Sequence, residues 1–360
     1  MRDILDVVSK LREADPPLEY LRDNEDVAVG KFLEFETGFW NGKPRVVPSE
    51  ALNLPGRPGD RSFLYRGQTA HYATCVASLL RDASENEWQI KALLSLERFK
   101  VAELELLLRN HPFNKVAERH GLWVDYHALA QHYGIRTSLL DLTSNIEIAA
   151  FFAVAHWNEA IGKFTPMETG TGVLFRFDWS AIGPGYSKFF DPVGFGPGLR
   201  PARQHAWTFR LPPGVDFQSI PQVTVFEFSH SKLASEELFD RFKRGKWVYP
   251  PDCLASLVEK LRDLPFVTMK ALRHAAQQDG QPPEQIDAAA KKAARFLAAT
   301  LGIEVIDDYE LQPEKADIIL AEKQATALDD ALRGMRRSFR LVRTLRTPPA
   351  PTDKPPTTQP

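Results

Sequence analysis

Residues 128–153 read ALAQHYGIRTSLLDLTSNIEIAAFFA, and the fold turns on how this run divides. A helical pattern starts at Tyr126 and runs to Tyr133. Gly134 follows where a left-handed C-terminal cap is wanted, because it has no Cβ to clash there. Gly134–Ser138 reads as a turn and Leu139–Thr143 as a short strand. Asn145–Trp157 then reads as a buried helix, capped by Ser144 or Asn145 through a side-chain oxygen. A helix, a tight turn and a strand in succession bring Gln131, His132, Thr137 and Asp141 towards one end of a sheet.

Upstream, Asn53–Asp60 carries two Pro and two Gly and marks a boundary near Arg61. Ser62–Arg66 reads as a strand and Gln89–Leu108 as a long helix with apolar positions three and four apart. Before the boundary, Ile4, Leu5, Val8 and Leu11 repeat at helical spacing. Downstream, Gly172–Trp179, Ala206–Leu211 and Gln222–Phe228 have strand character. The Gly- and Pro-rich loop Gly183–Pro201 lies between the first two. From Ser256 the pattern is helical: Ser256–Leu261, Val267–Gln278, Gln285–Leu301 and Lys323–Leu345. Strands in the middle and helices at both ends predict an α+β fold, with a central mixed or antiparallel sheet, flanking helices and a helical C-terminal part. The expected organisation is a helical lead-in over 1–60, a domain over 61–250, a helical region over 251–346 and a disordered Pro/Thr-rich tail over 347–360.

Composition narrows the classes. The 360 residues are 43% hydrophobic and 26% charged, and 23 Phe, 7 Trp and 8 Tyr require a packed interior. A formal net charge of -2 excludes a dominant basic face but leaves room for a local basic groove. Cys75 and Cys253 are far apart and lack a CxxC partner, so neither a zinc site nor a disulfide framework is expected. Met1–Pro17 lacks the apolar core of a signal peptide, and no run of about 18 apolar residues occurs. A cytoplasmic protein with no membrane partner and no metal is expected. The chain has no Walker or dinucleotide glycine loop, no serine nucleophile elbow and no His-Glu-x-x-His run.

Three segments could carry chemistry. Tyr65-Arg66-Gly67-Gln68 ends a strand. Its Arg offers a planar fork for phosphate or carboxylate, its Gly allows a ligand close to the backbone, and its Gln both donates and accepts. A strand-end Arg paired with a carboxylate is the plainer reading. In the second segment, Gln131, His132, Arg136, Thr137, Asp141, Thr143 and Asn145 thread through apolar sequence. Asp141 to Asn145 could simply cap the next helix, and His132 could be a hydrogen-bonded interior histidine. The third, Arg200–Phe209, concentrates Arg200, Arg203, Gln204 and His205 where a loop meets a strand. It reads either as ligand contacts or as a solvated charged loop.

Together and in this order, the segments resemble the FRG-domain family. The match runs through Phe63–Gln68 (FLYRGQ), Tyr72 and Ser78-Leu79-Leu80-Arg81. Its most specific part is Leu129-Ala130-Gln131-His132-Tyr133-Gly134 with Thr137, Leu139-Leu140-Asp141, Thr143 and Asn145, and Arg200 with Gln204 completes it. The chain departs from the family pattern at Arg136-Thr137-Ser138-Leu139, where the Arg is displaced by two positions, and at Ala206 and Thr208. The resemblance covers roughly 61–210 and implies a part in bacterial or phage conflict, as a toxin or defence protein with a possible antitoxin or partner protein.

The strand-end Arg with later Thr/Ser and acidic positions is also similar in pattern to ADP-ribosyltransferases. That likeness implies an NAD-binding cleft, with Arg66, Thr137 or Ser138, and Glu227 in the family's three places. Tyr65, Arg66, Gly67, Gln68, Gln131 and Arg200 would then bind the nucleotide. His132 and Gln204 would orient the ribose or base, and Asp141 would act as general base or as a cap. The acceptor would be a protein or nucleic acid. The alternative is a non-catalytic module that senses a nucleotide or nucleic acid and passes the signal to a partner through its helical C-terminal part. There Arg333, Arg336, Arg337, Arg340, Arg343 and Arg346 either share a binding face or form a solvated helix surface.

Overall fold

The computed structural model describes residues 2–14, 35–40, 43–48, 63–83, 86–178, 181, 189–193, 198, 200–250 and 252–334. The breaker cluster 53–60, most of the loop 183–201, the arginines beyond Arg333 and the tail 347–360 lie outside them. Helix α1 (Ile4–Ala14) comes first, and the hairpin β1 (Phe35–Trp40) and β2 (Lys43–Pro48) falls where the lead-in was read as helix and loop. Then come β3 (Phe63–Gln68), α2 (Glu87–Leu108), α3 (Pro112–Arg119), α4 (Tyr126–His132), β4 (Leu139–Thr143) and α5 (Ile146–Val154). The middle continues with β5 (Ala155–Asn158), β6 (Lys163–Pro166), β7 (Thr171–Asp178), β8 (Phe190–Pro192), α6 (Arg200–Arg203), β9 (Ala206–Arg210) and β10 (Val223–Ser229). Helices α7 (Lys232–Arg241), α8 (Ala255–Arg262), α9 (Met269–Gln278), α10 (Pro283–Leu301) and α11 (Lys315–Gly334) follow, with β11 (Phe266–Thr268) and β12 (Glu304–Ile306) among them.

Six strands form one sheet in the order β10-β7-β3-β4-β9-β8, and each neighbouring pair is antiparallel. The fold is therefore α+β, as the pattern of elements predicts. Alternation sorts the two faces. Leu64, Leu140, Leu142, Val173, Phe175, Phe177 and Phe209 pack on one side with Phe190, Trp207 and Phe217. Phe190 and Phe209 stack there with centroids 4.2 Å apart. Tyr65, Leu174 and Phe228 point to the other side, against Ile4, Val8 and Leu11 of α1 and the small-residue face of α5. Strands β3 and β7 are covered on both faces, so FLYRGQ and TGVLFRFD read as near-continuous runs.

The sheet is open at its centre. Strand β3 pairs with β7 over six positions, and β4 with β9 over five, but β3 meets β4 only at Tyr65 opposite Thr143. Below that bridge the strands part. Helix α5 lies over β3 at this point, and Gly67 allows it: a Cβ there would overlap Ala149 O and stand 2.6 Å from Ala153 N. The close approach that this glycine permits is that of a helix backbone.

Several boundaries differ from the sequence reading. Helix α5 ends at Val154 and not at Trp157, because Ala155–Asn158 pairs with Lys163–Pro166. Its cap is Asn145, whose Oδ1 accepts from Glu147 N at 2.8 Å. The presumed loop 183–201 contains β8 and the start of α6. The helical C-terminal part includes the parallel pair β11–β12, and α11 begins at Lys315, earlier than Lys323. Leu104 and Leu108 of α2 and Leu129 and Tyr133 share one apolar cluster with Leu254, Leu257, Leu261 and Ala321. Lys100 fastens the same contact by donating to the carbonyls of Leu264 (3.0 Å) and Phe266 (2.9 Å) just beyond α8.

Two expectations follow. Gly67→Ala should lower stability by on the order of 2 kcal/mol or more through overpacking, read from the urea midpoint; unchanged stability would return Gly67 to a ligand role. His111 caps α3 by accepting from Phe113 N at 3.2 Å, and burial pushes its imidazole from 6.5 down to about 4. The unfolded chain therefore binds the extra proton between those values. This contribution is complete above about 6.5 and is lost as pH falls towards 4. His111→Asn keeps a capping oxygen and should flatten the stability loss between pH 7 and pH 5; a profile parallel to wild type would refute this origin.

Candidate functional site

The parting of β3 and β4 leaves buried groups in need of partners. Arg66 starts on the side of Leu64 and reaches round to donate from Nη1 to the Asp141 carbonyl at 2.8 Å. Where the β3–β4 ladder ends, a guanidinium takes up this carbonyl. Gln68 Nε2 lies 3.5 Å from Cys75 Sγ beside it. Burial pushes the Cys75 thiol up, and the positive charge of Arg66 partly opposes the shift.

The Asp141 side chain points the other way, towards α4. The end of α4 is fixed by a two-bond cap, Ile135 N to Ala130 O and Gly134 N to Gln131 O, each at 3.0 Å, with Gly134 at φ 86°. This cap holds Gln131 and His132 opposite the strand. Gln131 Nε2 donates to Asp141 Oδ2 at 2.8 Å, and Thr137 Oγ1 donates to Gln131 Oε1 at 2.5 Å. Thr137 Oγ1 also accepts from Leu139 N at 3.1 Å. His132 is buried, with Nε2 3.5 Å from Asp141 Oδ1 and Nδ1 3.3 Å from Gln204 Oε1. Gln204 Nε2 donates to Val248 O at 3.1 Å, which turns its oxygen to His132 and makes Nδ1 the donor. The imidazole Nε2 is left facing the carboxylate. Thr143 Oγ1 secures the neighbouring turn by donating to Gln204 O at 2.8 Å.

These groups line a cleft of about 1150 Å³. Tyr65, Arg66, Gly67, Gln68, Gln131, His132, Asp141, Arg200 and Gln204 all contribute to it, so most of the residues read from sequence as site candidates converge. Arg200 lies over the rings of Tyr133 and Tyr249, at 4.8 Å from each centroid. Burial raises both phenols, and the Asp252 carboxylate that accepts the Tyr133 hydroxyl adds to the rise there.

Other expected residues lie elsewhere. Thr137 and Ser138 are buried behind the cleft, where Thr137 braces Gln131 and Ser138 binds the Glu97 carboxylate. Glu227 sits on the edge strand β10, in register with Gln68 through Val173, and is held by His71 at 2.5 Å. It is not part of the cleft lining, and two strand spacings of about 4.8 Å separate β10 from β3. Arg203 is turned under Trp247, its centroid 5.3 Å away, and burial lowers its pKa. Arg136 lies outside the cleft and ties down the segment before α2 through Ser78 O and Asp82.

The sequence reading did not find the aromatic wall. Phe152, Trp157, Phe164 and Tyr249 come from α5, the β5–β6 hairpin and a distant turn, with Phe164 4.9 Å from Tyr249 and 5.0 Å from Trp157. It also missed Glu259, Arg262 and Asp263 of α8 and its end, which close the far side. Their spacing in the chain carries no signal, because only the hairpin and the packing of α8 assemble them.

Among the described residues, no group of three or more His, Cys, Asp or Glu is placed to hold a metal ion, and no helix is long and apolar enough to cross a membrane. Residues 61–160 match the family model described as the FRG domain, so the chain contains an FRG domain. No curated protein and no solved structure gives a match.

Thr137→Val keeps shape but removes the brace on Gln131, leaving buried groups unpaired. It should cost about 1–3 kcal/mol in a urea titration, whereas Glu227→Gln, on a half-exposed edge, should melt with the wild type. Equal behaviour of the two variants would refute the bracing role.

Proposed function

We propose that the FRG domain of this chain binds a nucleotide, with NAD the leading candidate, and transfers its ADP-ribosyl group from the cleft between β3 and β4. One observation carries the reading: Arg66 and Arg200 enter the cleft with no carboxylate partner among the described residues, on either side of the Gln131–His132–Asp141 cluster. Planar guanidinium forks suit a pyrophosphate, and the rings of Phe152, Trp157 and Tyr249 suit a flat base. Gln204 and His132 then orient the ribose.

Asp141 takes the acidic role that the pattern gave to Glu227. As the bond from ribose C1′ to the nicotinamide nitrogen breaks, its electron pair leaves with nicotinamide. The Asp141 carboxylate faces the positive charge developing on the sugar. The nucleophile of a protein or nucleic-acid acceptor closes the new bond at C1′, and its proton passes to the His132–Asp141 pair. A place in bacterial defence or as a toxin, with an antitoxin or other partner protein, belongs to the same proposal.

A second reading is favoured by the position of Glu227 outside the cleft and by the part of α8 in the cleft wall. On this reading the domain senses a nucleotide or nucleic acid without turnover and passes the signal to its helical region.

The test is incubation of the purified chain with NAD, with and without cell lysate, following nicotinamide release and label transfer. Wild type should release nicotinamide, and Arg66→Ala and Asp141→Asn should each lose at least about 100-fold; Asp141→Asn should melt with the wild type, whereas Arg66→Ala should also melt lower because the Asp141 carbonyl loses its donor. Glu227→Ala should stay active. NAD binding without release moves the assignment to the sensing module, and nucleic-acid affinity that collapses with salt would strengthen that case. A chain that does not bind NAD has neither NAD-based function.

A further inference from the structure

Arg81 also lines the cleft. It is exposed on the short segment before α2. That segment is held in place from the turn ahead of β4. Leu79 N donates to Thr137 O at 3.2 Å, Arg136 donates to Ser78 O through Nε (3.1 Å) and Nη2 (2.7 Å), and Arg136 Nη2 also reaches Asp82 at 2.7 Å. Arg66 on β3 and Arg81 on this segment both line the cleft, and the Cys75 thiol senses the charge of each, that of Arg81 least and after the carboxylate of Asp216. Two guanidiniums therefore face the same cleft.

Neither pairs with a carboxylate among the described residues, and Arg66 Nε is buried without a hydrogen-bond partner. Of the four acidic groups of the lining, Glu159 is exposed on the turn between β5 and β6, and the other three are taken up elsewhere. Asp141 binds Gln131, and Glu259 and Asp263 meet Arg262 at 3.6 and 2.7 Å. Like charges that face one cleft with no carboxylate paired to either repel, and a doubly charged anion between them removes that cost.

We infer that Arg66 and Arg81 form a subsite for a phosphoryl group, with Arg136 as the positioning residue that holds the Arg81 segment against the cleft. Arg66 is fixed in plane by its bond to the Asp141 carbonyl, and Arg81 approaches from the mouth. The subsite rests on the nucleotide reading of the cleft and adds to Arg66 and Arg200 a third cation for the phosphates.

The test is calorimetric titration of the full chain, at one fixed salt concentration, with ADP, adenosine and inorganic pyrophosphate. Arg81→Ala should weaken ADP about tenfold and leave adenosine unchanged, and Arg81→Lys should recover only part of the loss because the planar fork is gone. Arg136→Ala should weaken ADP in the same direction by less, again without touching adenosine. ADP affinity unchanged in Arg81→Ala but lost in Arg66→Ala would overturn the subsite and leave the nucleotide reading standing. Pyrophosphate bound through Arg81 by a chain that ignores ADP would uphold the subsite and overturn the nucleotide reading. A wild-type chain that binds none of the three overturns both.

Discussion

The single bridge between Tyr65 and Thr143 is the constraint on which the rest of the structure depends. A sheet is held together by continuous ladders, and this one keeps them on either side of its centre while giving one up in the middle. Strand β3 is secured by β7, and β4 by β9, so each half stays rigid when the two part. The gap then has to be filled. Arg66 supplies a donor to the stranded carbonyl of Asp141, α5 lies across β3 at Gly67, and α4 takes the Asp141 side chain through Gln131. The site is the repair of a split sheet, which is why its polar groups are fixed, with His132, Thr137 and Gln204 among them buried.

Much of the fold was legible because periodicity reports burial. FLYRGQ, TGVLFRFD and the helix ending at Leu108 are long, strongly patterned segments, and the structure keeps them nearly where they were read. The cap at Gly134 was legible for a sharper reason, since a residue in left-handed backbone after a helix is most cheaply a glycine. The hairpin β5–β6 was not. AHWN continues the apolar character of α5, and only its pairing with KFTP and the packing of Trp157 on Phe164 make it a strand.

The site was legible in its polar half alone. Arg66, Gln131, His132, Asp141 and Gln204 stood out as polar residues in apolar company, and they meet in one cleft. The acid suggested by similarity of pattern does not join them: Glu227 shares a face with Gln68, but strand order sets it two strands away with His71. Sheet order is a long-range property that spacing along the chain does not encode. The cluster itself is a relay of hydrogen bonds from Thr137 to Gln131 to Asp141, with His132 tied to Gln204 and Val248. In a low-dielectric interior such a relay is rigid when complete. The atoms left over, Asp141 Oδ1, His132 Nε2 and the Nε groups of Arg66 and Arg200, are its spare capacity.

The wall built by Ala255, Glu259, Arg262 and Asp263 lies almost a hundred residues beyond the segment that carries the family match. That segment supplies the floor of the cleft, while its ceiling comes from the helical region and from Arg200 and Tyr249. On the proposed reading, ligand choice is thus written in two separate stretches of the gene. Two proteins that share the first stretch need not share a ligand, and exchange of the second is a route by which one scaffold acquires a new one.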